Sequence, residues 1–183
     1  MRRILVAGLI AMVLLLGAVP TYAALTSPLT AEGPTGVEGT SASAVFNIGD
    51  RTVRQVRYVD RGTLVYTFTL ANDGALPMTI DGLAPMSTKA TLFTYKRLVD
   101  ERDDSHFTIG AGDSAVVRLS VLMSACERLS ARAGSFASEV RLRTSRLGVV
   151  DKDVTVVLPE EIHTGSAREA FCPRSSASSR PPG

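Results

Sequence analysis

Apolar and polar residues alternate most clearly over Thr63–Leu70, where Leu64, Tyr66, Phe68 and Leu70 interleave with Val65, Thr67 and Thr69. A period of two is the signature of a strand with one buried face. Asn72-Asp73-Gly74 follows at once and predicts a turn, because these residues tolerate positive φ. The chain then returns through Leu76, Met78 and Ile80, and Asp81-Gly82 turns it again. Further strands are expected over Ala90–Leu98, at Phe107 and Ile109, and over Ala115–Met123, with Val117, Leu119 and Val121 on one face. Phe136–Thr144 places Val140 and Leu142 inward and Arg141 and Arg143 outward, and Val154–Leu158 closes the set. Ala44–Ile48 and Val53–Val59 are earlier candidates.

Short strands with frequent turns and no long amphipathic helix predict an all-β fold, an antiparallel two-sheet sandwich, with a closed barrel as the alternative. The domain is expected over residues 43–173. Residues 24–42, with Pro28, Gly33, Pro34, Gly36 and Gly39, read as a flexible lead-in, and residues 174–183 as a polar, Pro-rich disordered tail. One short C-terminal helix is expected at Ser166-Ala167-Arg168-Glu169, which fits a capping box.

Residues 1–23 have a different pattern. Arg2 and Arg3 precede an apolar stretch from Ile4 to Val19, and Pro20 leads into Thr21-Tyr22-Ala23. This is the three-part pattern of a secretory signal helix, with cleavage between Ala23 and Ala24. An uncleaved N-terminal anchor is the alternative. The expected location is therefore extracytoplasmic, secreted or at the cell envelope. Cleavage would leave about 160 residues, enough for one domain with a real core. It would also remove the formal charge of +2, leaving a neutral protein. That removes any whole-molecule case for nucleic acid or, after cleavage, for anionic membrane. The basic residues are Arg except for Lys89, Lys96 and Lys152, and with abundant Ala and Gly this composition suits a bacterial source of high GC content.

An even pair of cysteines in an exported chain predicts a disulfide between Cys126 and Cys172. It would close a loop of roughly 45 residues and stabilise by about 4 kcal/mol on the chain-entropy model.

Tyr66-Thr67-Phe68-Thr69-Leu70-Ala71-Asn72-Asp73-Gly74, then Pro77 and Ile80, resembles the strand-and-turn signature of immunoglobulin-like domains in bacterial exported proteins. Phe107-x-Ile109-x-Ala111-Gly112-Asp113, with Val117 and Leu119, is similar to their turn before a late strand. The resemblance covers about residues 43–158. It implies an immunoglobulin-like sandwich and a habit of binding or scaffolding, and transfers no site residues. There is no Trp, and Cys172 lies beyond the last expected strand, so the antibody-type core is absent.

Candidate chemistry is sparse. Asp100-Glu101-Arg102-Asp103-Asp104-Ser105-His106 is rich in carboxylates that Ca²⁺ would accept, but it lacks the spacing of a calcium loop. A solvated hairpin loop between strands is expected. A hydrolase would use His106 or His163 as base with Asp103 or Asp153 behind it, yet no Gly-x-Ser-x-Gly supplies a nucleophile. Arg51, Arg54, Arg57 and Arg61, and Arg141, Arg143 and Arg146, are candidate anion-binding clusters or simply solubilising strand faces. No catalytic residue, metal ligand or cofactor is assigned. The expected function is non-catalytic, through contacts with another envelope or extracellular protein. The alternative is an exported hydrolase or a small-ligand or ion-binding domain using the loop around His106.

Overall fold

A computed structural model describes residues 28–85, 92–123, 135–146, 148 and 150–164. Their regular elements are all strands: β1 (Leu29–Glu38), β2 (Ala42–Ile48), β3 (Arg51–Val56), β4 (Thr63–Asn72), β5 (Met78–Leu83), β6 (Phe93–Asp100), β7 (Phe107–Ile109), β8 (Ser114–Met123), β9 (Ser135–Arg146) and β10 (Val150–Thr164). They form a four-stranded sheet ordered β1-β4-β8-β6 and a six-stranded sheet ordered β2-β3-β10-β9-β5-β7.

One hydrophobic core joins the sheets. Leu64, Tyr66, Phe68 and Leu70 of β4 and Val117, Leu119, Val121 and Met123 of β8 are fully buried. Met78 and Ile80 of β5, Val140 and Leu142 of β9, and Val154, Val156, Leu158 and Ile162 of β10 meet them from the other sheet. The alternation read from the sequence is thus the inner face of each strand. Each large apolar side chain so buried contributes about 1.5–3 kcal/mol. The rings of Tyr66 and Phe68, two positions apart on one face, stack with centroids 5.6 Å apart.

Four features differ from expectation. Residues 29–38 are not a loose lead-in but strand β1, antiparallel to β4 from Leu29 opposite Asn72 to Glu38 opposite Val65. The strand is irregular, with a register break between Glu32 and Gly36, and that irregularity hid it. Leu29 is nevertheless buried and Val37 packs on the core. Gly39 at its end has φ +77°, and a Cβ there would lie 2.1 Å from the Thr63 carbonyl oxygen, so this glycine is required by close approach rather than by flexibility.

Second, the six-stranded sheet is mixed. β10 runs parallel to β3, with Ile162 opposite Arg54, while every other pair is antiparallel. A parallel partner so distant in sequence has no hairpin to announce it. Third, Asn72-Asp73-Gly74 does not close a hairpin, because β4 and β5 lie in different sheets. Among the described strands, consecutive ones pair only in β2–β3 and β9–β10. Fourth, β10 continues past Leu158 through Pro159 to Thr164. Pro159 falls inside a register shift between Val157 and Ile162, where the ladder to β9 is interrupted and a missing N–H is tolerated.

The signal segment with its Ala23–Ala24 cleavage site, the Cys126–Cys172 disulfide, the helix expected at 166–169 and the tail at 174–183 lie outside the described residues.

Candidate functional site

The acidic run leaves β6 at Asp100 and crosses to β7 in the opposite sheet. Asp100 Oδ1 accepts the N–H groups of Arg102 and Asp104, both at 2.9 Å. The Asp100 N–H in turn donates to the Asp104 carbonyl at 2.9 Å. Asp104 Oδ1 accepts the His106 N–H at 2.9 Å. Asp103 sits at φ +66°, a left-handed conformation that a short polar side chain tolerates. Its carboxylate receives Arg97 Nη1 at 3.1 Å and Arg118 Nη2 at 3.3 Å, and its carbonyl receives Arg97 Nη2 at 2.6 Å. The carboxylates of Asp100, Asp103 and Asp104 therefore serve the loop's own backbone and Arg97, Arg102 and Arg118, and do not converge. Among the described residues no group of three His, Cys, Asp or Glu side chains is arranged to hold a metal ion.

His106 is largely exposed, and its Nδ1 lies 2.9 Å from Asp81 Oδ1 on β5. The partner expected from sequence, Asp103, is held by arginines instead. His163 lies against the Phe136 ring with centroids 4.5 Å apart, and Asp153 pairs with Arg141 at 3.3 Å. Neither histidine is thus joined to the aspartate that a triad would have used.

Beside the acidic loop is an open cleft of about 530 Å³, lined by Asp100–Arg102, Phe107–Gly110 and Gly112–Val116. His106 is not part of its lining. Asn72, fully buried, fixes this end of the molecule. Its Nδ2 donates to the carbonyls of Leu76, Ile109 and Gly110 at 2.9, 3.2 and 2.9 Å, and its Oδ1 accepts the Gly74 N–H at 3.1 Å. Its backbone exchanges hydrogen bonds with Asp113 and Gly112. The sequence marks Asn72 as a turn residue only. Its role in tying the β4 end to the β7–β8 turn depends on which strands lie beside it, and no local signal carries that.

Arg51, Arg54, Arg61 and Arg141 of the arginine clusters are also engaged. Arg54 lies between the sheets, with Nε 2.5 Å and Nη2 3.0 Å from the two carboxylate oxygens of Glu160. Arg54 Nη2 also donates to Thr35 Oγ1 at 3.0 Å, and the Tyr66 hydroxyl approaches Glu160 Oε2 at 3.5 Å. This bidentate pair links β3 and β10 to β1 and β4. Its hydrogen bond to Glu160 raises the Arg54 pKa despite burial, and burial followed by the Glu160 charge pushes the Tyr66 phenol up. Arg51 pairs with Glu161 at 3.1 Å and Arg61 with Asp60 at 4.0 Å.

No family model matches the chain, and no curated protein matches it in sequence.

Proposed function

We propose that the chain is an exported, non-catalytic, immunoglobulin-like β-sandwich that acts by protein contact or scaffolding at the cell envelope or outside it. The observation that carries this reading is how the chemically suggestive side chains are used. Asp100 and Asp104 cap their own loop, Asp103 and Asp153 neutralise arginines, and Arg54 is locked to Glu160. The exposed strand surface includes the large apolar side chains of Val45, Phe46, Ile48, Phe136 and Val157, an area suited to protein contact. The N-terminal signal pattern and the immunoglobulin-like resemblance supply the location and the habit of binding. The partner is another envelope or extracellular protein, with no cofactor, no nucleic acid and, after signal cleavage, no membrane. Affinity capture of the tagged chain from a crosslinked envelope fraction tests it: a recurrent protein partner is expected, and repeated recovery of none counts against it.

One observation favours the alternative, an exported hydrolase or a small-ligand or ion-binding domain at this end. The His106–Asp81 pair has the contact that orients a general base. His106→Ala should then abolish an activity or a ligand affinity; unchanged behaviour removes the anchor of that alternative.

A further inference from the structure

A strand at a sheet edge offers unpaired N–H and C=O groups to any other strand, and proteins usually blunt such edges. Among the described strands the two sheets have four edges: β1, β6, β2 and β7. β7 is only three residues long. β1 carries a register break, Pro34 without an N–H, and exposed Glu32 and Glu38. β6 carries a register break between Tyr95 and Arg97 and exposes Lys96 and Arg97.

β2 has none of these charge or proline devices. It is seven residues long, ASAVFNI, without charge, Pro or Gly. It pairs with β3 on one side and is terminal in its sheet among the described strands. Its only register shift lies at its start, between Ala42 and Ala44. Val45, Phe46 and Ile48 are 49%, 39% and 49% exposed. We propose that β2 is a self-association edge. Two copies pair their β2 strands antiparallel about a two-fold axis at Val45, so that the two six-stranded sheets become one continuous sheet.

The strand is its own complement in that register, which is why a second copy is the occupant. Val45 is the central residue of β2. Centring the axis there places Val45 opposite Val45 and Ala44 opposite Phe46, a small residue against a large one in both directions. Directly opposed side chains lie about 4.5–5.5 Å apart, close enough for these matches to contribute. No like charges meet along the strand, and just beyond it Asp50 falls opposite Thr40. Self-pairing of β6 would instead bring Lys96 and Arg97 together across an axis near them. A two-fold interface is also the commonest form of self-association. This inference stands on the edge alone and does not depend on export or on a heterologous partner.

The chain is purified in the form that accumulates and examined by sedimentation velocity from about 1 to 100 μM, the range in which modest interfaces dissociate. A monomer–dimer equilibrium is expected. Val45→Lys places two ammonium groups face to face, and Val45→Lys and Phe46→Lys should each raise the dissociation constant at least about tenfold while circular dichroism stays unchanged. Val116→Lys, at an exposed position of β8 in the other sheet, should leave it unaltered. Independently of any destabilising variant, a benzophenone amino acid at position 46 should crosslink to residues 42–48 of a second copy, as mapped by mass spectrometry. A monomer throughout that concentration range overturns the proposal. So does a dimer indifferent to Val45→Lys, or crosslinks that map outside β2.

Discussion

Arg54 and Glu160 lie 106 positions apart in the chain and meet in bidentate contact between the sheets; Asp100, Asp103 and Asp104 are near neighbours in sequence, yet their carboxylates point to separate partners. The first pair is almost inaccessible, with side chains 15% and 9% exposed, and its geometry is held by both sheets. In the second region, Asp103 and the arginines facing it are 42–62% exposed. Density of charge along the sequence therefore points to the wrong place. The conspicuous run is a crossover ordered by backbone capping and exposed except at Asp100, while the charges that tie the two sheets together are one arginine and one glutamate that look unremarkable where they stand.

The largest expected effect tests the buried side of this contrast. Arg54→Ala leaves Glu160 buried without its partner and should destabilise the fold by about 3–5 kcal/mol in denaturant unfolding, whereas the double replacement Arg54→Met with Glu160→Leu should recover most of that loss. A small effect of Arg54→Ala would mean that water reaches Glu160 and that the two regions are alike.

Alkaline titration comes next. Burial pushes the Tyr66 phenol up, and burial with the Glu139 charge pushes Tyr95 from 10.0 to about 12. The unfolded chain releases these protons first, so the contribution is intact below about pH 10 and is lost as pH rises from there through about 12. Thermal unfolding should show that decline, and Tyr95→Phe should lessen its slope while also losing the hydrogen bond from Tyr95 to the Glu139 carbonyl.

Asp100→Ala should cost about 1–2 kcal/mol, because it strips the acceptor from two loop N–H groups that solvent can partly replace. Hydrogen exchange at Arg102 and Asp104 should quicken with it. Smallest of all, Arg97→Ala should change stability by about 0.5 kcal/mol or less, as expected of an exposed ion pair. A larger loss there would make the acidic loop a structural element in its own right.

The core was legible because side-chain alternation is a local property. Leu64 to Leu70 and Val117 to Met123 face inward as their spacing predicts. Strand β1 was not legible, since glycines, Pro34 and a register break erase alternation where pairing with β4 is supplied by the partner. The parallel β3–β10 pair and the exchange of sheets after Asn72 were hidden for a related reason: periodicity states which face of a strand is buried but not which strand lies beside it. The candidate site was legible only as residue types. For the acidic run the sequence predicts a solvated hairpin loop; the segment instead crosses between the sheets with Asp100 buried, and His106 meets Asp81 rather than Asp103 because that crossing brings β5 beside it. By sequence Arg54 belongs to one cluster with Arg51, Arg57 and Arg61, and no local signal singles it out as the residue that turns to Glu160.

The most direct test of the proposed non-catalytic role compares the wild-type chain with His106→Ala in its native cell. Both are tagged, crosslinked in the envelope and captured, and both purified proteins are assayed for hydrolysis and small-ligand binding. Recovery of the same protein partner by the two forms, with no His106-dependent turnover or binding, is the predicted result. Absence of any recurrent partner, together with an activity that disappears on removing His106, would contradict it.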